Sequence, residues 1–123
     1  MRSIGIGGNA VIDFHNRSFI CVAAAECPDF TTETVFHFKQ YGDIVHATYN
    51  GGNIQYGELI GMVDQQGIQQ VIFNHDNMDF QCYSGTCTFT PERLHDKSYV
   101  LHGQWFKTEE DTASKELTLE ELR

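Results

Sequence analysis

The stretch that decides the fold spans residues 33–75 and reads ETVFHFKQYGDIVHATYNGGNIQYGELIGMVDQQGIQQVIFNH. Apolar and polar residues alternate in it with a period of two, which is typical of half-buried β-strands. Three short glycine-containing segments interrupt the alternation, at 40–43, 50–53 and 64–67. Glycine favours tight hairpin turns because it adopts positive φ angles without a Cβ clash. The stretch therefore predicts four antiparallel strands joined by three tight turns.

The turns also predict which side chains share a face, because hairpin loops fix the register of the strands they join. Two-residue loops at 41–42, 51–52 and 65–66 give one mostly apolar face, predicted to form the core. Its apolar members are Phe36, Phe38, Val45, Ala47, Tyr49, Ile54, Tyr56, Ile60 and Met62. Two polar side chains, Glu58 and His75, fall on the same face. A slip of one residue at any of these turns would reverse the strands that follow.

The remainder of the chain predicts four more strands, at about 18–24, 80–90, 99–107 and 116–122. The last of these could instead be a helix by propensity. Pro91 is predicted to end the strand before it. In the strand at 80–90, continuation of the register points Phe80, Cys82, Ser84 and Thr86 inward. Residues 1–17 lack periodicity and are predicted to be irregular, apart from a short strand at 10–14.

Eight sequentially connected strands predict an all-β fold, an antiparallel up-and-down meander barrel within a single domain spanning 1–123. A sheet of that length tends to close, because closure removes its exposed edges. The interior of an eight-stranded barrel can be filled by side chains or can hold one small ligand.

Composition limits the partners of the protein. The formal net charge of −9 argues against nucleic acid and anionic membrane, since both attract basic surfaces. No apolar run approaches the roughly 20 residues of a membrane-spanning helix. The four cysteines are too few for a dense disulfide framework, which favours free thiols and a cytoplasmic location. A small-molecule partner is expected, and homo-oligomerisation is left open.

The pattern in the central stretch resembles a family of small, mostly bacterial proteins with an avidin-like or calycin-like barrel. The residues that carry the resemblance are Phe36-His37-Phe38, Gln40, Gly42, Ile44-Val45, Ala47, Tyr49, Gly51-Gly52, Ile54, Gly57 and Leu59-Ile60-Gly61, followed by His75, Gly85, Cys87, Pro91-Glu92, Leu101 and Trp105. It covers roughly residues 17–122. Members are often labelled N-acetylglutamate synthase. The resemblance implies the barrel fold and supplies no activity, because no acetyl-CoA site is recognisable in this sequence.

Glu58 and His75 are the sharpest candidates for chemistry, because a buried carboxyl near an imidazole suits general acid–base work or the binding of a polar ligand. The alternative is a structural hydrogen-bond network. Trp105 could plug one end of the barrel or form a stacking wall for a ligand. The predicted ligand-binding set consists of Tyr49, Tyr56, Glu58, Phe73, His75, Ser84 and Trp105.

Other pairs of metal-ligating side chains are weaker candidates. His37 and His46 are predicted to be cross-strand neighbours on the outer face, but no third ligand is apparent. Cys82 and Cys87 are an odd number of residues apart and are predicted to point to opposite faces. No metal and no cofactor are therefore predicted.

Three functions remain open at this point. The favoured one is a non-enzymatic barrel that binds a small, partly apolar molecule in its interior or at its mouth. The second is a small enzyme, such as a cyclase, isomerase or hydrolase, that uses Glu58 and His75. The third is a structural or interaction module with a filled core.

Overall fold

The fold is a closed antiparallel β-barrel, described by a computed structural model for residues 12–24, 28–107 and 114–122. Its strands are β1 (Ser18–Ala24), β2 (Val35–Tyr41), β3 (Ile44–Gly51), β4 (Ile54–Val63), β5 (Gln69–Asn77), β6 (Cys82–Arg93), β7 (Tyr99–Lys107) and β8 (Lys115–Glu121). Each strand pairs with the next, and β8 pairs with β1. The predicted all-β meander of eight strands is confirmed, and residues 115–121 form a strand. Nowhere in the described ranges is there a helix long and apolar enough to cross a membrane.

The strand limits follow the sequence patterns closely, with one correction at Pro91. The prediction that Pro91 ends its strand is wrong, because β6 continues to Arg93 and Pro91 pairs with Leu101 of β7. The ladder between β5 and β6 already stops at the pair Gln69–Phe89. Proline is tolerated here because β6 has lost one neighbour, as at the edge of a sheet.

The first two hairpins lie one residue later than predicted. Their loops are 42–43 and 52–53, since β2 ends at Tyr41 and β3 at Gly51. Gly42 and Gly52 have φ angles of 62° and 64°, which glycine adopts without strain. The change at the first loop moves each partner by two positions, so that Phe38 pairs with Ala47 and still points inward. The predicted core face of β2 and β3 is therefore correct.

A β-bulge in β4 reverses the predicted faces of the rest of that strand. β4 pairs with β3 and with β5, and in both ladders β4 contains one extra residue between Ile54 and Gly57. Gln55 and Tyr56 are both exposed there. A bulge of this kind shifts every following side chain to the opposite face. Gly57, Leu59 and Val63 are consequently buried. The predicted inward positions of Tyr56, Glu58, Ile60 and Met62 are wrong, because these side chains lie on the outer wall.

A second change at the next turn restores the predicted faces of β5. The turn between β4 and β5 has five residues instead of two, because Val63 pairs with Gln69. The turn length differs from the prediction by an odd number of residues, so it reverses the faces a second time and cancels the effect of the bulge. Phe73 and His75 therefore point inward as predicted. In β6, Gly85, Cys87 and Phe89 are buried. The predicted inward positions of Phe80, Cys82, Ser84 and Thr86 are wrong, and Phe80 is 89% exposed on the turn before β6.

The weaker sequence candidates are separated in the structure. His37 pairs with Thr48 and His46 pairs with Lys39, so that the two histidines are not direct cross-strand partners. Cys82 is exposed and Cys87 buried, on opposite faces as predicted. Cys27 and positions 10–11 of the predicted short strand lie outside the described residues, and residues 12–17 are irregular.

The two ends of the barrel are closed by different segments. Residues 12–17 lie at one end, where Phe14 packs between Phe19, Phe38 and Tyr99. Residues 28–34 lie at the other end, beside the β3–β4 turn, where the backbone amide of Asn53 donates to the carbonyl of Asp29. We call residues 28–34 the closing loop.

Candidate functional site

The closing loop places one aromatic ring into the end of the barrel. The ring of Phe30 is 8% exposed, although it comes from a loop and not from a strand. Its centre lies 5.3 Å from that of His75, 5.9 Å from Tyr49 and 6.4 Å from Trp105. It also stacks on Phe36 at 6.1 Å. Phe30 therefore fills a box of aromatic side chains contributed by β2, β3, β5 and β7.

Asp29, next to Phe30, joins the closing loop to the barrel through a buried carboxylate. Its Oδ2 atom lies 3.0 Å from Nε2 of His75. Its Oδ1 atom accepts hydrogen bonds from the Nδ2 atoms of Asn53, at 2.9 Å, and Asn77, at 3.3 Å. A buried carboxylate needs hydrogen-bond donors to offset its lost hydration, and these three partners supply them.

A tyrosine completes the network on the other side of the imidazole. The hydroxyl of Tyr49 lies 3.0 Å from Nδ1 of His75. The Tyr49 ring stacks on Phe36, with 4.5 Å between ring centres, and lies across Gly57. A Cβ atom at Gly57 would lie 2.3 Å from the ring of Tyr49. The bulge in β4 thus brings a residue without a side chain to the place where the tyrosine ring packs.

Burial favours the neutral form of His75. Burial lowers the pKa of His75, and its contacts with Asp29 and then Asp76 raise the pKa by a smaller amount. A neutral imidazole has one donor and one acceptor nitrogen. The neighbours assign the proton to Nε2, which donates to Asp29, while Nδ1 accepts the hydroxyl hydrogen of Tyr49.

This lowered pKa predicts a loss of stability in mild acid. Below about pH 6.5, the unfolded chain binds a proton at His75 that the native protein does not bind until its lower native pKa is reached. The free energy of unfolding should therefore fall as the pH decreases from about 6.5. Urea unfolding of the protein and of His75→Gln, compared between about pH 7.5 and 5.5, measures this part of the pH dependence.

The matched control is His102→Gln, since His102 is exposed and pairs with Glu92. The His102 variant should keep most of the wild-type pH dependence, whereas His75→Gln should lose a measurable part of it. An unchanged pH dependence in His75→Gln would contradict the assignment of a neutral imidazole.

The barrel interior beneath Phe30 is nearly full. The cavity that remains has a volume of about 10 Å³, which is close to the smallest space that holds one water molecule. Its lining consists of Phe30, Phe36, Tyr49, Leu59, Phe73, Cys87, Phe89, Trp105 and Leu117. Burial raises the pKa of Cys87 to about 12, so its thiol is protonated and a poor nucleophile. This cavity, lined by residues that the structure describes, is too small for a small molecule while Phe30 is in place.

Trp105 has a buried donor that no hydrogen bond uses. Its Nε1 atom is buried without a partner, a condition that within the described residues is shared only with the side-chain amide of Gln69. Gln69 begins β5 at the opposite end of the barrel. Trp105 meets Phe30 and Phe73 edge-on, at 6.4 and 5.7 Å between ring centres. A buried donor without an acceptor is unusual in a folded protein.

The structure divides the predicted ligand-binding set between two surfaces. Tyr49, Phe73, His75 and Trp105 lie together inside the barrel, at the end closed by Phe30. Tyr56, Glu58 and Ser84 lie outside. Glu58 and Ser84 line a recess of about 410 Å³ on the outer wall, and the Tyr56 hydroxyl donates to Glu58 at 3.2 Å.

The predicted pairing of Glu58 with His75 is therefore wrong. Gly57 is the register partner of His75, and the bulge turns the next residue, Glu58, to the outer wall. The imidazole and this carboxyl group are on opposite sides of the sheet and cannot act on one substrate. Asp29 takes the position of the acidic partner.

Sequence reasoning missed three members of the site, namely Asp29, Phe30 and Asn77. Asp29 and Phe30 follow Pro28, in the connection between the strand predicted at 18–24 and the stretch that begins at residue 33. Asn77 lies between the strand predicted to end at 75 and the strand predicted to begin at about 80, whereas its side chain is buried and bonds to Asp29 and Gln81. An Asp-Phe dipeptide in a connection between two predicted strands carries no periodic signal that would reveal its burial.

Within the parts of the chain that the structure describes, no three histidine, cysteine, aspartate or glutamate side chains are grouped as metal ligands. Both nitrogens of His75 are already engaged by Tyr49 and Asp29. The geometry is that of a structural latch beside an aromatic box.

Comparison with known proteins agrees with this architecture. A family model described as Avidin-like protein matches residues 12–122, and the chain belongs to that family. No curated protein and no solved structure gives a significant match. The family description names no reaction, so the narrower label of N-acetylglutamate synthase and a bacterial origin stay predictions.

Proposed function

We propose that the protein binds a small, largely apolar, ring-shaped molecule reversibly in the space that Phe30 occupies. In this proposal the closing loop is a displaceable cover, and the phenyl ring of Phe30 is the internal substitute for the ligand. Binding exchanges one ring for another, so that the aromatic box is filled in both states.

The observation that carries the proposal is the source of the ring at the centre of the box. The box is built by strand residues, among them Phe36, Tyr49 and Trp105, whereas Phe30 comes from a connection between strands. Loops are the parts of a fold that move most readily, and ligand sites are drawn from them. Small-molecule sites are lined mainly by aromatic and apolar side chains with a few polar groups. Membership of an avidin-like barrel family is consistent with small-molecule binding in general.

The latch at Asp29 explains how the cover can be both closed and removable. Phe30 is held by ring contacts and by the polar contacts of the adjacent Asp29 to His75, Asn53 and Asn77. Water can replace these hydrogen bonds when the loop moves outward, and each hydrogen bond to a charged group contributes only about 1.5–3 kcal/mol net. A ligand must then bind the open state more tightly than the closed state, by enough to offset the loss of closure.

Binding of toluene to the protein and to Phe30→Ala tests the proposal. The chain has a single tryptophan, Trp105, so its fluorescence reports directly on the box. Toluene should bind Phe30→Ala at least tenfold more tightly than the wild type, because no ring has to be displaced. Apolar cavities left by truncation do bind benzene-sized molecules. Phe80→Ala is the matched control, since Phe80 is exposed, and it should bind as the wild type does.

The wild-type measurement separates a function from an engineered cavity. The proposal requires that saturating toluene also changes the wild-type Trp105 fluorescence and the amide NMR signals of residues 28–34. If toluene binds Phe30→Ala and leaves the wild type unchanged, Phe30 is a permanent core residue and the proposal is wrong. Phe30→Leu, which removes less volume, replaces Phe30→Ala if that variant does not fold.

A further inference from the structure

We propose that the ligand carries a hydrogen-bond acceptor of the carbonyl type on its ring, and that Nε1 of Trp105 is the donor that recognises it. This inference rests on the proposed function, since it specifies the chemistry of the molecule that replaces Phe30. The ligand class is therefore a neutral aromatic carbonyl compound.

The first support is the unused indole N–H. A buried donor without an acceptor destabilises a protein by about 1–3 kcal/mol, and Trp105 is only 7% exposed. Trp105 lines the remaining cavity, and its ring centre lies 6.4 Å from that of Phe30, so the indole borders the space that the phenyl ring fills. A phenyl ring offers this donor no strong acceptor, whereas a carbonyl oxygen on a ring in the same place would.

The second support is that the groups which the moving loop would uncover are hydrogen-bond donors. Asp29 precedes Phe30, so that withdrawal of Phe30 moves the carboxylate away from Nε2 of His75 as well. The vacated space would then face two N–H donors, one from Trp105 and one from His75. A ligand that matches two neutral donors is rich in acceptors and needs no charge.

The neighbouring lysine does not change this conclusion. The Nζ atom of Lys115 lies 5.4 Å from the centre of the Trp105 ring, over its face. The indole N–H projects from the edge of the ring, and an ammonium group is itself only a donor. Lys115 therefore cannot serve as the acceptor for Nε1.

A pair of nearly isosteric probes tests the inference. Acetophenone has a carbonyl oxygen where α-methylstyrene has a methylene group, and both are neutral single rings. Both should bind Phe30→Ala, and acetophenone should bind about tenfold more tightly, because one hydrogen bond to a buried donor contributes on the order of 1 kcal/mol. The dissociation constants are measured by calorimetry, and the wild type is titrated in parallel.

Removal of the N–H group assigns the effect to Trp105. Biosynthetic replacement of tryptophan by 3-benzothienylalanine puts sulfur in place of the indole N–H and changes no other position, because the chain has one tryptophan. In Phe30→Ala carrying this replacement, the preference for acetophenone should fall to about twofold or less. Trp105→Phe provides the same comparison if the substituted protein does not fold.

The outcomes separate the two proposals. Equal binding of acetophenone and α-methylstyrene would overturn the acceptor requirement and leave the binding site intact. A tenfold preference that survives removal of the indole N–H would overturn the role of Trp105. Failure of both probes to bind either Phe30→Ala or the wild type would instead contradict the proposed function itself.

Discussion

Asp29→Ala should lower the free energy of unfolding by about 3 kcal/mol, because it removes an acceptor that three side chains share. The variant leaves the side-chain N–H groups of His75, Asn53 and Asn77 without their common acceptor. Each buried donor that loses its partner destabilises the protein by about 1–3 kcal/mol, and the losses are not fully additive. Urea unfolding at pH 7.5 gives the change directly.

Two further variants show whether the loss arises from the network. Asp29→Asn keeps the shape and one acceptor oxygen, so it should retain about half of the stability that Asp29→Ala loses. Asp79→Ala removes an exposed carboxylate on the β5–β6 turn and should change stability by no more than about 0.5 kcal/mol. Equal stability of Asp29→Ala and Asp79→Ala would show that the buried carboxylate contributes nothing to the native state.

Gly57→Val should destabilise the barrel by about 3 kcal/mol, because the new side chain needs the space of the Tyr49 ring. That ring cannot move aside easily, since it stacks on Phe36 and bonds to His75. Overpacking of this kind forces shifts in both the backbone and the neighbouring side chains. Thermal or urea unfolding measures the loss, and one-dimensional NMR reports whether the His75 ring protons move.

A double variant tests the contact itself. Tyr49→Ala alone should be strongly destabilising, since it empties part of the core. In the double variant that carries Gly57→Val and Tyr49→Ala, the loss of stability should be smaller than the sum of the two single losses by about 1–3 kcal/mol, because valine can occupy the vacated space. Strict additivity would mean that residue 57 and the ring of Tyr49 do not compete for the same volume.

The architecture was predictable because its determinants are local. Alternation marks each strand, and glycine at Gly42 and Gly52 marks the turns, with positive φ angles in the structure. The faces of β4 were not predictable from alternation, because the bulge at 55–56 is stabilised by packing between strands. Gly57 must lie under Tyr49, and that requirement is invisible along one strand.

The candidate site was only partly predictable for a related reason. His75 was correctly placed inside, but only because the bulge and the five-residue turn after Val63 offset each other. Asp29 and Phe30 were missed because burial of a loop residue depends on the shape of the barrel end. The acidic partner of an imidazole was therefore expected on the adjacent strand, whereas the fold supplies it from a distant connection.

Closure of the barrel has a consequence for synthesis on the ribosome. The last ladder joins β1 to β8. Glu121 holds one end of this ladder, because its carboxylate pairs with Arg17, which lies 104 positions earlier, and accepts a hydrogen bond from the backbone amide of Tyr99. While β8 is still in the exit tunnel, the emerged strands can form only an open sheet, with β1 and β7 as unpaired edges. Such edges invite association between nascent chains. Pairing over so long a separation is also slow, so these edges stay exposed until β8 has emerged and paired with β1.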